Sequence, residues 1–181
     1  METQIAAAEI ERWPQSAEEF ERLIELTGDE LVHYAFYRLG NHQDAEDVVQ
    51  DVYVAAFRDR RKRARIAQVR PYLFRMVGNR CTDVARRRSR YAMETVEETT
   101  VAADRTFPEV AAREQAERLR SLLRELPLAE SEVIHLRVLS ELSFAEVAAA
   151  VGSPVPTVKS RFRYGLAKLR RLLSPEGGCK R

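Results

Sequence analysis

Asp44, Asp47 and Asp51 recur every three or four residues in the stretch DAEDVVQDVYVAAF. On a helix they share one face, with Gln50 at its border and Val54 one turn further on. Carboxylates in such a row can do two kinds of chemistry. Asp47 and Asp51, one turn apart with His42 nearby, could hold magnesium as in a nuclease. The sequence offers no second acidic cluster to face them, which such a site needs. The other use is docking, in which carboxylates orient a partner with a basic surface and Val54 supplies a small apolar anchor. On the opposite side Ala45, Val48, Val49, Val52, Tyr53, Ala56 and Phe57 form an apolar stripe, which predicts a helix buried along that face.

A second set of functional residues lies in YLFRMVGNRCTDVARRR, residues 72 to 88. Arg75, Asn79, Asp83 and Arg86 fall along one helical stripe, with Tyr72 and Phe74 at its start and Arg80 and Arg87 beside it. The segment before it, RDRRKRARIAQVRP, contributes Arg61, Arg63 and Arg65. Cations for a backbone, flat rings for stacking and an amide for a base edge are what a reader of single-stranded nucleic acid requires. The aromatics fit equally well as core, together with Leu73, Met76 and Val77.

A third set lies in LSFAEVAAAVGSPVPTVKSRFRYGLAKLRRLL. A short helix from Ser143 to Ala150, a tight turn at Val151-Gly152-Ser153 and a basic helix have helix-turn-helix spacing. Val155, Val158, Phe162, Leu166, Leu169 and Leu173 are the predicted buried side. Ser160 and Tyr164 lie opposite, flanked by Thr157, Lys159 and Arg163, with Arg161 and Lys168 on the remaining surface. Such a face suits the major groove, where Lys and Arg reach phosphates or guanine edges and hydroxyls bond to either.

The elements that must position these residues are helices. Strand alternation and hairpin turns are nearly absent, and the chain reads as all-α. Ser16 with Glu19, Thr27 with Glu30, and Ser143 with Glu146 have capping-box spacing. Leu39-Gly40-Asn41 predicts a helix end followed by a new cap. Pro71 fits the first turn of a helix running to about Ser89. Later helices are expected over Arg113 to Leu126, stopped by Pro127, over about Glu130 to Leu139, over Phe144 to Ala150, and from about Val155 to Leu173. Pro156 disfavours helical geometry at Val155 and moves that last start one or two residues later. The domains expected are 16–90 and 113–173, joined by a flexible acidic linker over 91–112 and followed by a loose tail over 174–181.

Charge distribution supports two sites for a polyanion in a chain of net charge +2. Thirteen basic residues lie between Arg58 and Arg90 against only Asp59 and Asp83, and six lie between Pro154 and Leu173 against no acid. The two cysteines, Cys81 and Cys179, make no disulfide framework or zinc spacing, so a reducing cytoplasm is expected. No signal-peptide pattern opens the chain and no apolar run approaches a membrane span. Without a Gly-rich phosphate loop, a Ser-His-Asp set or a metal cluster, neither enzymatic activity nor a cofactor is expected.

Together these stretches resemble the extracytoplasmic-function group of bacterial RNA polymerase sigma factors, from Phe20 to Leu173. The resemblance implies a sigma-2-like helical bundle and a sigma-4-like helix-turn-helix domain. It implies that Asp44, Asp47, Gln50, Asp51 and Val54 meet the clamp of the largest subunit of core RNA polymerase. The flap of the second-largest subunit is a further implied contact. It implies that Asn79 and its basic neighbours capture unpaired bases of the minus-10 element. Thr157, Lys159, Ser160, Arg161, Arg163, Tyr164 and Lys168 would read the duplex minus-35 element, and an anti-sigma factor would cover these faces. The chain departs from the family in Pro156, where glycine is usual, and in Tyr164, where a basic residue is common. Its loop from Arg60 to Arg70 is also more basic and lacks an aromatic. The alternative is a stand-alone helix-turn-helix regulator that binds duplex DNA without polymerase.

Overall fold

In the computed structural model the described residues are 13–59, 66, 68–94, 118 and 121–173. They are helical without strands, and fall into two compact units divided between Asp104 and Arg105. Among the described residues no helix is long and apolar enough to cross a membrane.

The first unit contains α1 (Ala17–Leu39), α2 (His42–Arg58) and α3 (Val69–Glu94), each packed against the other two. Ser16 caps α1 by accepting from the Glu19 amide at 3.2 Å. The Glu19 carboxylate accepts from the amide of Gln15, one residue outside the cap, so the expected box is offset. Thr27 and Glu30 do not start a helix. Thr27 lies buried in the middle of α1, where its hydroxyl donates to the Leu23 carbonyl at 2.7 Å and meets the Tyr53 hydroxyl at 2.6 Å. Tertiary packing overrides the local cap signal, because the hydroxyl already has partners inside the bundle. Gly40 ends α1 in the left-handed region (φ 72°), and the Asn41 side chain accepts from Asp44 to start α2, as the sequence predicts.

The apolar stripe of α2 is buried at Ala45, Val48, Val49, Val52, Tyr53 and Ala56, whereas Phe57 is at the margin and packs on Phe20. Each such valine contributes about 1.5–3 kcal/mol on full burial. Pro71 sits in the first turn of α3, where no helical amide bond is needed. Val69, Leu73, Phe74, Val77 and Cys81 then face the core. Gly78 lets α3 approach Tyr34, whose hydroxyl would lie 2.9 Å from an added Cβ. At the foot of α3, Arg70 makes a two-pronged bond to Glu30 (2.8 and 2.5 Å), and Trp13, fully buried, meets Tyr72 edge-on. The helix continues to Glu94, past the expected end near Ser89 and into the first four residues expected to be linker. From Arg86 to Arg90 every residue of α3 is exposed.

In the second unit, helical residues 121–124 end ahead of Pro127. The expected start of that helix at Arg113 lies outside the described residues. Pro127 caps α4 (Leu128–Ile134), which begins two residues before the expected Glu130. It continues as a wide turn, His135–Leu139, closed by the Ser140 amide on the His135 carbonyl. Ser143 and Glu146 form a complete capping box on α5 (Phe144–Val151), with bonds of 3.2 and 2.8 Å. Gly152 (φ 63°) ends α5, and α6 spans Val155–Leu173. Pro156 does not delay α6, because in a first turn its missing amide has no intrahelical partner to lose. Both α4 and α5 pack on α6. Gly165 is buried where a Cβ would lie 2.6 Å from Ile134 Cδ1.

Burial pushes the Tyr53 phenol up to about 12, against the opposing pull of its Thr27 bond, and Glu30 and Asp29 add to the rise. An unfolded tyrosine ionises near 10, so the folded state holds its proton more tightly. The stabilisation from neutral Tyr53 is complete below pH 10 and is lost as pH rises towards 12. Denaturant unfolding of the wild type is expected to weaken above pH 10, with a Tyr53 component of up to about 1.4 kcal/mol per pH unit. Tyr53→Phe, costing about 1 kcal/mol at neutral pH, removes that component. An unchanged slope in the variant would assign the alkaline loss to other groups.

Candidate functional site

Burial of one side of α2 turns the other outward. Asp47, Gln50, Asp51 and Val54 are exposed at i, i+3, i+4 and i+7, and Val54, at 49% exposure, is an apolar spot beside carboxylates. Asp44 is half-buried one turn before Asp47. His42 turns towards Glu46, at 3.4 Å, and among the described residues no three potential metal ligands converge.

The acidic and basic sets, read from the sequence as separate, touch each other. Asp51 accepts from Arg80 at 2.5 Å, and Asp44 accepts from Arg88. Arg80 is one residue of the expected nucleic-acid set, and Arg88 adjoins another, Arg87. The pairing order runs up α3 as it runs down α2, so the two helices are antiparallel. Both pairs are solvent-exposed in part.

Along α3, Arg75, Asn79, Asp83 and Arg86 are all exposed on the predicted stripe, and Arg87 is exposed beside them. Tyr72 is half-buried against Trp13. Phe74 is fully buried against Tyr34, so it belongs to the core and cannot stack on a base. Arg61, Arg63 and Arg65 lie outside the described residues.

On α6 the buried side is Val158, Gly165 and Leu169, with Val155, Phe162 and Leu166 half-buried. Leu173, expected inside, is 55% exposed, because the helix has run past its packing partners. The outward side is not uniform. Arg161 donates to Ser153 in the preceding turn at 3.2 Å, and Lys168 bonds to Glu130 of α4 at 2.8 Å. Lys159 Nζ lies 5.8 Å from the Phe144 ring centre, and Arg163 lies 5.3 Å from that of Tyr164. Thr157 and Ser160 are half-buried at the margin. Periodicity and spacing assign no role to Phe144 or Arg137. The Phe144 ring carries the Arg137 guanidinium at 5.4 Å and meets Phe162 edge-on. Such a cluster needs residues from three elements, so no local spacing announces it.

Comparison with known proteins matches Sigma-70 region 2 to residues 23–91 and Sigma-70, region 4 to residues 116–169. The RNA polymerase sigma factor NccH of Alcaligenes xylosoxydans xylosoxydans is 32% identical over 136 residues, 72% of this chain and 73% of that one. The ECF RNA polymerase sigma factor SigE of Mycolicibacterium smegmatis is 28% identical over 86% of this chain, which spans 62% of that relative's length. The chain belongs to the extracytoplasmic-function sigma factors. The structure of CnrH in complex with the cytosolic domain of CnrY superposes with a TM-score of 0.68 at 27% identity, covering 94% of each chain. The protein is thus an alternative sigma factor for promoter-directed transcription initiation, with α1–α3 lying within or overlapping region 2 and α4–α6 in or beyond region 4.

Exposed ion pairs contribute at most about 1 kcal/mol to folding. In this sigma factor Asp51→Asn and Arg80→Gln, singly or together, are therefore expected to leave unfolding free energy within about 1 kcal/mol of wild type. A larger loss measured by denaturant titration would make the pair a structural tie instead of a surface available to partners.

Proposed function

We propose that this sigma factor divides its work between the two units, with 16–90 binding core polymerase and the minus-10 element and 113–173 reading the minus-35 element. The observation that carries the reading is the exposure of Asp47, Gln50, Asp51 and Val54 as one continuous strip on a helix whose other side is core. The clamp of the largest polymerase subunit would take that strip, charge setting orientation and Val54 entering a small apolar contact. A second contact would join the 113–173 unit to the flap of the second-largest subunit.

Promoter DNA would be held in two forms. The outward side of α6 would enter the major groove of the upstream duplex through Thr157, Lys159, Ser160, Arg163 and Tyr164. Arg161 and Lys168, already bonded within the unit, would hold the helix in place and contribute positive potential. Asn79, with Arg75, Arg86 and Arg87 along the exposed stripe of α3, would capture unpaired bases of the minus-10 element. Arg61, Arg63 and Arg65 would add charge, and Tyr72 would border the site. Extruding one base costs a few kcal/mol, which base capture and core contacts together offset. The protein would act without catalytic chemistry of its own, in the cytoplasm and on the nucleoid. The related CnrH is bound by a second protein's cytosolic domain. That supports a regulatory partner of anti-sigma type here, covering the same faces.

The test is transcription from a promoter pool by purified core polymerase with and without the full chain. Promoter-specific transcripts are expected only with the chain; specific duplex binding without such transcripts would favour a stand-alone regulator. Asp51→Arg is expected to weaken core binding about tenfold or more, since a cation replaces the orienting carboxylate. Asn79→Ala should leave core binding unchanged and reduce strand opening, read by permanganate reactivity of minus-10 thymines. Equal opening by Asn79→Ala and wild type would remove Asn79 from the capture site.

A further inference from the structure

The four cations from Lys159 to Lys168 on α6 have different surroundings. Arg161 is tied to Ser153 and Lys168 to Glu130, and Lys159 rests against Phe144. Among the described residues the Arg163 guanidinium meets only the ring of its neighbour, Tyr164, at 5.3 Å. Side chains at i and i+1 on a helix ordinarily diverge by about 100°. Here the two nonetheless meet, with Arg163 Cζ over the Tyr164 ring. Tyr164 is itself anomalous, being 54% exposed, the largest aromatic surface α6 offers.

A guanidinium laid on an aromatic face keeps its plane and its outer N–H groups free. Its fork matches O6 and N7 of guanine in the major groove, the commonest specific contact there. The ring edge beside it is apolar, and the apolar group that the major groove presents is the 5-methyl of thymine. Adjacent positions on α6 differ by only about 1.5 Å along its axis, so the bases they reach are neighbours.

We propose that Arg163 and Tyr164 act as one reading head for a guanine adjacent to a thymine in the minus-35 duplex. Tyr164 is then both a specificity residue, through the thymine methyl, and a positioning residue, through the plane it imposes on Arg163. This rests on the reading of α6 as the minus-35 helix. Ser160, one turn earlier on the same side, and Lys159 beside it set the register but do not supply this discrimination.

The test uses the full chain with core polymerase. Holoenzyme first selects promoters from a pool randomised upstream. The preferred duplex is then rebuilt with uracil at each thymine in turn, and with 7-deazaguanine at each guanine. Wild type is expected to lose about fourfold in binding at one thymine, the worth of one buried methyl. It should lose about tenfold at the neighbouring guanine, where N7 is gone. Tyr164→Ala should be indifferent to the uracil and less sensitive to the deazaguanine, Arg163→Ala indifferent to the deazaguanine, and Tyr164→Phe like wild type. Should an alanine variant fold poorly, the analogue series on wild type and Tyr164→Phe still decides. Loss of discrimination in Tyr164→Phe would assign the hydroxyl, not the ring edge, and overturn the proposal. So would a selected upstream element in which no adjacent guanine and thymine show these sensitivities, leaving only the minus-35 reading intact. Initiation without any upstream preference would overturn both.

Discussion

Packing of the α2 stripe between α1 and α3 is the constraint on which the first unit depends. Ala45, Val48, Val49, Val52 and Ala56 must leave water together, and a helix has only one way to bury all five. That choice fixes the rotation of α2. It leaves Asp47, Gln50, Asp51 and Val54 nowhere to go but outward. The Tyr53–Thr27 bond pins the same rotation with a polar contact inside the core, where a slip would strand two hydroxyls. A surface made this way is as rigid as the core beneath it, which would lower the entropic cost of docking for the partner proposed above.

The same rotation brings charge of both signs together. Asp51 on Arg80 and Asp44 on Arg88 join the strip proposed for polymerase to the helix proposed for DNA. Partners that are exposed pay little to part. A protein offering basic groups to Asp51, or a phosphate offered to Arg80, can therefore take either member at small cost. The contrast is Arg70 with Glu30, whose side chains are only 13% and 19% exposed. Removing one of those leaves the other partly buried without its counter-charge, which is far more expensive. Depth thus separates ion pairs that build the bundle from those available for exchange.

What was legible in the sequence was whatever a single helix decides alone. The α2 stripe, the Gly40-Asn41 junction, the Ser143–Glu146 box and the Gly152 turn depend on periodicity or on local backbone chemistry, and the structure agrees with each except at Phe57, which is exposed at the end of the stripe. Thr27 misled because its spacing to Glu30 imitates a cap while its hydroxyl is buried between its own helix and Tyr53 of α2. Trp13, ahead of the first predicted helix, gave no periodic signal and yet is fully buried. Glu141 takes a left-handed conformation (φ 51°) that a glycine there would have advertised. Phe74 could be a stacking ring or core by type alone, and only packing against Tyr34 assigns it. For the candidate sites the outward residues of α2 and α3 were readable as stripes. The links between stripes were not, since an antiparallel register is a tertiary fact.

The second unit carries that distinction into recognition. A count of basic residues on α6 treats Arg161, Arg163 and Lys168 as equivalent. Their surroundings do not: an arginine spent on Ser153 and a lysine spent on Glu130 hold the helix to its supports. Gly165 has the same office from the apolar side, because it lets α6 close on Ile134 until nothing larger than hydrogen fits. A recognition helix must be immobile for its remaining side chains to discriminate bases, since each degree of looseness lets a wrong base be accommodated. On the proposed reading of α6, cations bonded within the unit would thus serve specificity by holding the helix. They fix the helix from which Lys159, Ser160, Arg163 and Tyr164 project.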